Sequence, residues 1–219
     1  PVAGDRELGQ QFLHQLTPWI YRRYLSLADI TEIKALKRRI EHLTQSKGEE
    51  SFDVKTGHGG IRDIEFVIQF LQLLNGGDIP SVRTGNTLAA IVQLADKGCL
   101  SAQEQAILSE NYRFLRKIEH RLQIMFDLQT HQLPRDDRER RKLAIRMGYQ
   151  RDASEDPQYS FDTEYKKITV ENRRVLDHLL HDAFRETVPA EPEVDLVLDP
   201  NPPPQQIRLL EKFRFKDPA

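Results

Sequence analysis

Apolar residues in this chain recur three, four and seven positions apart, the spacing that places side chains on one face of a helix, and no alternating runs mark a strand pair. The pattern predicts an all-α fold, an antiparallel bundle of long amphipathic helices with short connections. A first helix over residues 5–25 breaks or kinks near Pro18 and is anchored by Phe12, Trp19, Tyr21 and Tyr24. A second opens where Asp29 precedes Glu32 by three, repeats Ile30, Ile33, Leu36, Ile40 and Leu43, and stops near Gly48. Phe52 and Val54 then alternate as in a short extended piece. The next helix begins at Gly60 or Ile61 and ends at Asn75, where Gly76 and Gly77 permit a left-handed cap.

Another helix runs from Asn86 to Gly98 with Leu88, Ile91, Val92 and Ala95 on one face. Ser101 and Glu104 form a capping box for a long helix that ends before Pro134. Its stripe is Leu108, Leu115, Ile118, Leu122 and Met125, interrupted by the polar Asn111. Asp136 or Asp137 caps a shorter helix ending at Met147 and Gly148. A last long helix, residues 160–186, repeats Phe161, Tyr165, Ile168, Val175 and Leu179. Residues 187–204 hold six prolines and little periodicity, the composition of a linker. Ile207, Leu210 and Phe213 then return to helical spacing. The expected organisation is therefore a leading segment (1–28), a helical bundle (29–186), a linker (187–206) and the start of a further helical region (207–219).

Charge and cysteine content narrow the function classes. A net charge of −2, from 32 Lys and Arg against 34 Asp and Glu, gives no overall attraction to nucleic acid or an anionic membrane. Cys99 is alone and cannot close an internal disulfide. No window approaches the ~18 uninterrupted apolar residues of a membrane span, so a cytoplasmic setting is expected. Without an initiator methionine or a secretion signal, the chain reads as a piece of a longer protein.

One stretch, GHGGIRDIEF, sets Gly57, His58, Gly59 and Gly60 directly before a strongly apolar helix. On that helix Arg62, Glu65, Gln69 and Gln72 share a narrow stripe, with Asp63 beside it. Two readings stand. In one, the glycines only make an entry turn and the polar edge is solvated or satisfied by neighbouring helices. In the other, they let a backbone approach a phosphate or another domain while the carboxylates face a site. Polarity alone favours the first, and GHGG matches neither a Walker loop nor a dinucleotide fingerprint.

The segment KTGHGGIRDIEFVIQFLQLLNGG resembles the helical-domain signature of the bacterial glutamine synthetase adenylyltransferase family, with PII uridylyltransferases more distant. NTLAAIVQLADKGCLS, YRFLRKIEHRLQIMFDLQTHQLP and LAIRMGY continue the resemblance in order. Residues 1–28 are similar to the end of the nucleotidyltransferase domain that precedes this domain in the family. The resemblance implies a two-headed parent that adds AMP to glutamine synthetase from ATP and removes it by phosphorolysis, with Mg2+ as cofactor. DLQTHQLP and LAIRMGY look more like the AMP-removing half. It also implies glutamine synthetase, the PII signal protein and the adjoining nucleotidyltransferase domain as partners. The Gly-Ser and Asp-x-Asp pattern that supplies metal-binding carboxylates in such enzymes is absent from this sequence. The expectation is a helical body with no catalytic residue and no bound cofactor of its own, packed on a catalytic head. Gly57, His58, Gly59, Gly60, Arg62, Asp63 and Glu65 then edge the active site. The alternative is a non-catalytic module that binds glutamine synthetase or PII.

Other polar groups have weaker claims. His58 lacks a second ligand at metal-like spacing, so no metal site is expected. Arg113, Lys117, His120 and Arg121 share one helical face and could meet an anion or an acidic partner, or be solvated or paired with Glu110 and Glu119. The basic run from Arg138 to Lys142 has no interleaved aromatics to stack bases, so nucleic acid is not an expected partner. Asp127, Gln129, Thr130 and His131 form a polar cluster with no role beyond capping.

Overall fold

In the computed structural model the described residues are 4–23, 29, 31–33, 35, 52–126, 130–149 and 156–187. Most of the helix expected to start at Asp29, most of the proline-rich linker and the terminal helix lie outside them, as do Tyr24, Asp127 and Gln129; positions 29, 31–33 and 35 are helical. The described helices are α1 (Arg6–Ile20), α2 (Ile61–Asn75), α3 (Thr87–Asp96), α4 (Ala102–Phe126), α5 (Asp137–Met147) and α6 (Pro157–Thr187), with one 3-10 turn at Pro80–Val82. Among the described residues there is no strand. The nearest approach to one is the antiparallel bridge between Asp53 and Gln132. The all-α class read from the periodicity holds.

Helix ends follow their side-chain chemistry. Asn86 accepts the Ala89 N–H at 3.0 Å and opens α3. Ser101 and Glu104 exchange bonds as a capping box, Glu104 N–H to Ser101 Oγ at 3.2 Å and Ser101 N–H to Glu104 Oε2 at 2.8 Å. Asp136 caps α5 through the Glu139 N–H at 3.0 Å, and Gly148, at φ 109°, closes it in the left-handed conformation.

The centre of the molecule is the pair α2 and α4. α2 packs on α3, α4 and α6, and α4 packs on α2, α3, α5 and α6. Ile61, Ile64 and Phe70 of α2 meet Ile91 and Leu94 of α3, Leu115, Ile118 and Leu122 of α4 and Phe161 of α6 in one core cluster. Phe161 stacks on Tyr165 at 6.3 Å and takes the edge of Tyr149 at 5.8 Å.

Two expectations need correction. α1 ends at Ile20 and buries none of its residues; Phe12 is 59% and Trp19 68% exposed, so of the described aromatics expected to anchor it only Tyr21, just beyond its end, is packed. Pro18 lies within the helix, two residues before its end. Gly76 is right-handed at φ −68°, so the glycine pair after α2 does not make a left-handed cap. These glycines serve close approach instead. A Cβ on Gly76 would sit 2.5 Å from the Tyr21 ring, and one on Gly77 would sit 2.3 Å from the Arg22 carbonyl. Arg83 completes this corner, its guanidinium 5.2 Å from the Tyr21 ring centre and its Nε donating to the Gly76 carbonyl at 2.6 Å.

Burial makes the fold sensitive to alkali. It pushes the Tyr165 phenol up to about 12 from an ordinary 10.0, against a lowering by Arg140 and with a smaller rise from Asp53. Between these values the unfolded chain releases the proton and the folded chain keeps it, so stability falls as pH rises through that window. Tyr149 shifts in the same direction through burial and its bond to Glu164. Denaturation midpoints measured against pH should decline more gently above pH 10 in Tyr165→Phe than in the parent chain. Parallel curves would show that the phenol gains nothing from its site.

Candidate functional site

The entry to α2 is built from its glycines outward. Asp53 Oδ1 accepts the Lys55 and Thr56 N–H groups at 2.9 and 2.8 Å, an Asx turn that starts the reversal. The extended piece at Phe52 and Val54 pairs with the segment after α4: Val54 donates to the His131 carbonyl at 2.9 Å, and Leu133 donates to the Phe52 carbonyl at 2.6 Å. The Gly60, Ile61 and Arg62 N–H groups donate to the carbonyls of Gly57, Val54 and Lys55. Gly60 has no side chain to cap the helix, and Asp63 reaches back to take the Gly59 N–H at 2.8 Å. Each of these amides therefore has an acceptor inside the chain, which leaves them unavailable to a phosphate.

Gly59 carries the tightest constraint. Its φ of 69° lies in the left-handed region, and a Cβ there would stand 2.1 Å from the Thr169 carbonyl oxygen of α6. The contact is held by a relay of amides: Asn172 Nδ2 donates to the Gly59 carbonyl at 2.8 Å, and Asn111 Nδ2 donates to Asn172 Oδ1 at 2.8 Å. Both asparagines are buried. α2, α4 and α6 are thus joined at one point by directional bonds as well as by apolar packing.

The expected site residues divide into three groups. Gly57, Gly59 and Gly60 are buried in the α2 entry, with Arg62 donating to the Thr56 carbonyl at 3.0 Å and Asp63 holding Gly59. His58 faces a cleft of about 590 Å³ beside Arg140, Tyr165 and Arg173. There Arg140 pairs with Asp162 at 2.7 Å and lies 5.4 Å from the Phe52 ring centre. Glu65 points elsewhere, into a cleft of about 740 Å³ that it shares with Arg113, Lys117 and Arg121. Tyr112 OH donates to Glu65 Oε1 at 2.8 Å. Burial raises the Tyr112 phenol above its usual range; a bond from Thr87 opposes the shift and the Glu65 carboxylate adds to it.

Side chains without an expected role turn out to organise the site. Asn111 showed in the sequence as a polar break in an apolar stripe, and that break is its signal. Asn172 had no comparable mark. Gln72, read as one of a polar stripe, is buried and donates to the Val82 and Thr84 carbonyls at 2.6 and 2.8 Å. His131 contributes its carbonyl to Val54, and its Nδ1 stands 3.0 Å from the buried Glu119, an ion-pair distance without hydrogen-bond alignment. Among the described residues no group of three or more His, Cys, Asp or Glu side chains is placed to hold a metal ion.

An all-α body centred on one buried helix, with its polar chemistry at the rim, is the class these features define. The model of the family described as GlnD PII-uridylyltransferase matches residues 31–180. The chain is 41% identical over 152 residues to the bifunctional glutamine synthetase adenylyltransferase/adenylyl-removing enzyme of Brucella suis biovar 1 (strain 1330), covering 68% of this chain and 15% of that protein. The enzyme of the same name from Rhizobium meliloti (strain 1021) is 41% identical over 157 residues, covering 70% and 16%. That from Hahella chejuensis (strain KCTC 2396) is 38% identical over 148 residues, covering 68% and 15%. The chain belongs to this family, in the group represented by the glutamine synthetase adenylyltransferase/adenylyl-removing enzymes. It spans about 15% of the length of the relatives it matches.

The Gly59 contact separates two glycines of like backbone angle. Gly59→Ala should cost about 3 kcal/mol or more, from strain at φ 69° and the clash with Thr169. Gly98→Ala, at φ 77° with open space around it, should cost about 1 kcal/mol. Equal losses in thermal denaturation would show that α6 does not press on the loop.

Proposed function

We propose that this chain is the helical domain of a bifunctional glutamine synthetase adenylyltransferase/adenylyl-removing enzyme, the body on which a nucleotidyltransferase head sits. The observation that carries this reading is 41% identity over 152 residues to enzymes so named. Two further features support it. Leu8, Phe12, Leu13 and Trp19 of α1 stand 59–68% exposed, a row of large apolar side chains that an adjoining domain would cover. The matched relatives are also several times longer than this chain, which leaves room for such a domain, and in this reading it is the nucleotidyltransferase head. In this reading His58 and Glu65, in their separate clefts, edge the active site, while Arg62 and Asp63 brace the turn between them.

Glutamine synthetase is the protein modified, and the PII signal protein is the second partner, from the description of the matched family. ATP and AMP are the nucleotides handled. The described carboxylates do not fit a magnesium site, since no group of three or more candidate ligands converges. The metal belongs with the head in this reading, and no catalytic step is assigned to this chain. No helix among the described residues is long and apolar enough to cross a membrane.

Purified alone, the chain should neither add AMP to glutamine synthetase nor remove it; turnover of either kind above a protein-free control would contradict the reading. Joined to the preceding head, α1 should gain about tenfold or more protection from amide exchange relative to the isolated chain. Unchanged rates would take α1 out of the junction. In the full-length enzyme, Glu65→Gln should reduce AMP removal while stability moves by less than about 1 kcal/mol. A loss of activity only in proportion to unfolding would make Glu65 a packing residue.

A further inference from the structure

The cleft of about 740 Å³ between α4 and the start of α3 carries an unbalanced charge. Arg113, Arg116, Lys117 and Arg121 line it along α4, and Glu65 is its one carboxylate. Arg116 is occupied, its Nη1 2.8 Å from Glu119. The other cations are not neutralised among the described residues: Lys117 Nζ donates to the Met147 carbonyl at 3.1 Å, Arg113 Nη1 donates to the Ser109 carbonyl at 3.4 Å, and Arg121 makes no ion pair there. Glu65 is engaged by Tyr112. Asn86, Thr87 and Leu88, the first turn of α3, form the facing wall, so the positive end of that helix adds to the field. In a chain of net charge −2 this is a local inversion of sign.

From this geometry we infer that the cleft binds a phosphate-bearing small molecule, with Arg113, Lys117 and Arg121 as the anion contacts. Arg113 and Arg121 lie roughly 12 Å apart along the helix, a span suited to more than one anionic oxygen cluster. Guanidinium forks match phosphate oxygens in pairs. A volume of this size falls in the range of small-ligand sites and exceeds what a lone phosphate fills. Leu88 and Ile124 give the same cleft an apolar side, where a flat ring could rest while its phosphate meets the cations. The inference shares Glu65 and phosphate chemistry with the proposed function, but its test reads binding by this chain alone and can fail while that function stands.

The test is calorimetric titration of the 219-residue chain with inorganic phosphate, with AMP as a mononucleotide, and with a poly-glutamate peptide. Phosphate or AMP should bind saturably, and Arg113→Gln with Arg121→Gln should weaken that binding at least about tenfold without changing Tm. Arg174→Gln, on exposed surface away from the cleft, should leave it unchanged. Tighter binding of AMP than of phosphate, reduced to the phosphate level by Ile124→Ser, would assign the ligand as a nucleotide. Equal affinity would assign free phosphate. The inference is overturned if neither binds at millimolar concentration, if the double variant binds like the parent chain, or if only the peptide binds.

Discussion

The structure turns on the place where the backbone of Gly59 passes α6. A side chain of any kind would strike the Thr169 carbonyl, and the space saved is used by the amide relay through Asn172 to Asn111. Buried amides are costly unless they are bonded, and here the partners lie on another helix and on the loop that opens α2. The relay therefore fixes α2, α4 and α6 relative to one another in a way that interchangeable apolar contacts do not. Ile61 and Ile64, which closely follow Gly59, are fully buried in the core.

This arrangement assigns different work to the faces of α4. Leu108, Leu115, Ile118 and Leu122 face the core, Asn111 joins the relay, and Glu119 is buried beside His131. The remaining face carries the cations of the cleft of about 740 Å³. Because α2 and α4 pack directly, Glu65 of the first is brought beside Arg113 and Lys117 of the second. The same core that stabilises the fold thus positions a charged rim, and rigidity at Gly59 is what keeps that rim in register.

Local chemistry was legible in the sequence wherever one residue type performs one task. The capping box at Ser101 and Glu104, the cap at Asp136 and the helix end at Gly148 depend on short-range geometry, and the periodicity of α2 and α4 depends on burial of one face. What the sequence did not reveal depends on contacts distant along the chain. Gly76 and Gly77 read as a helix stop, but their use is to admit Tyr21 and Arg22, which no local pattern marks. The aromatics of α1 predicted anchoring, yet a large apolar side chain says only that it can be buried, not by what. The grouping from Gly57 to Glu65 was visible as a motif. Its division among a buried turn, a cleft at His58 and a second cleft at Glu65 required the positions of α4 and α6.

The claim that the α2 entry is a closed junction with α6 is tested most directly by site-resolved native-state hydrogen exchange at Gly59, Gly60, Ile61 and Arg62. These amides donate to Asp63, Gly57, Val54 and Lys55 in turn. The account predicts that they exchange only with global opening, at rates close to those of core amides in α2 and α4. Rapid exchange at these positions while the cores of α2 and α4 stay protected would mean that the glycine loop opens independently, and the junction would not be the constraint on which the fold depends.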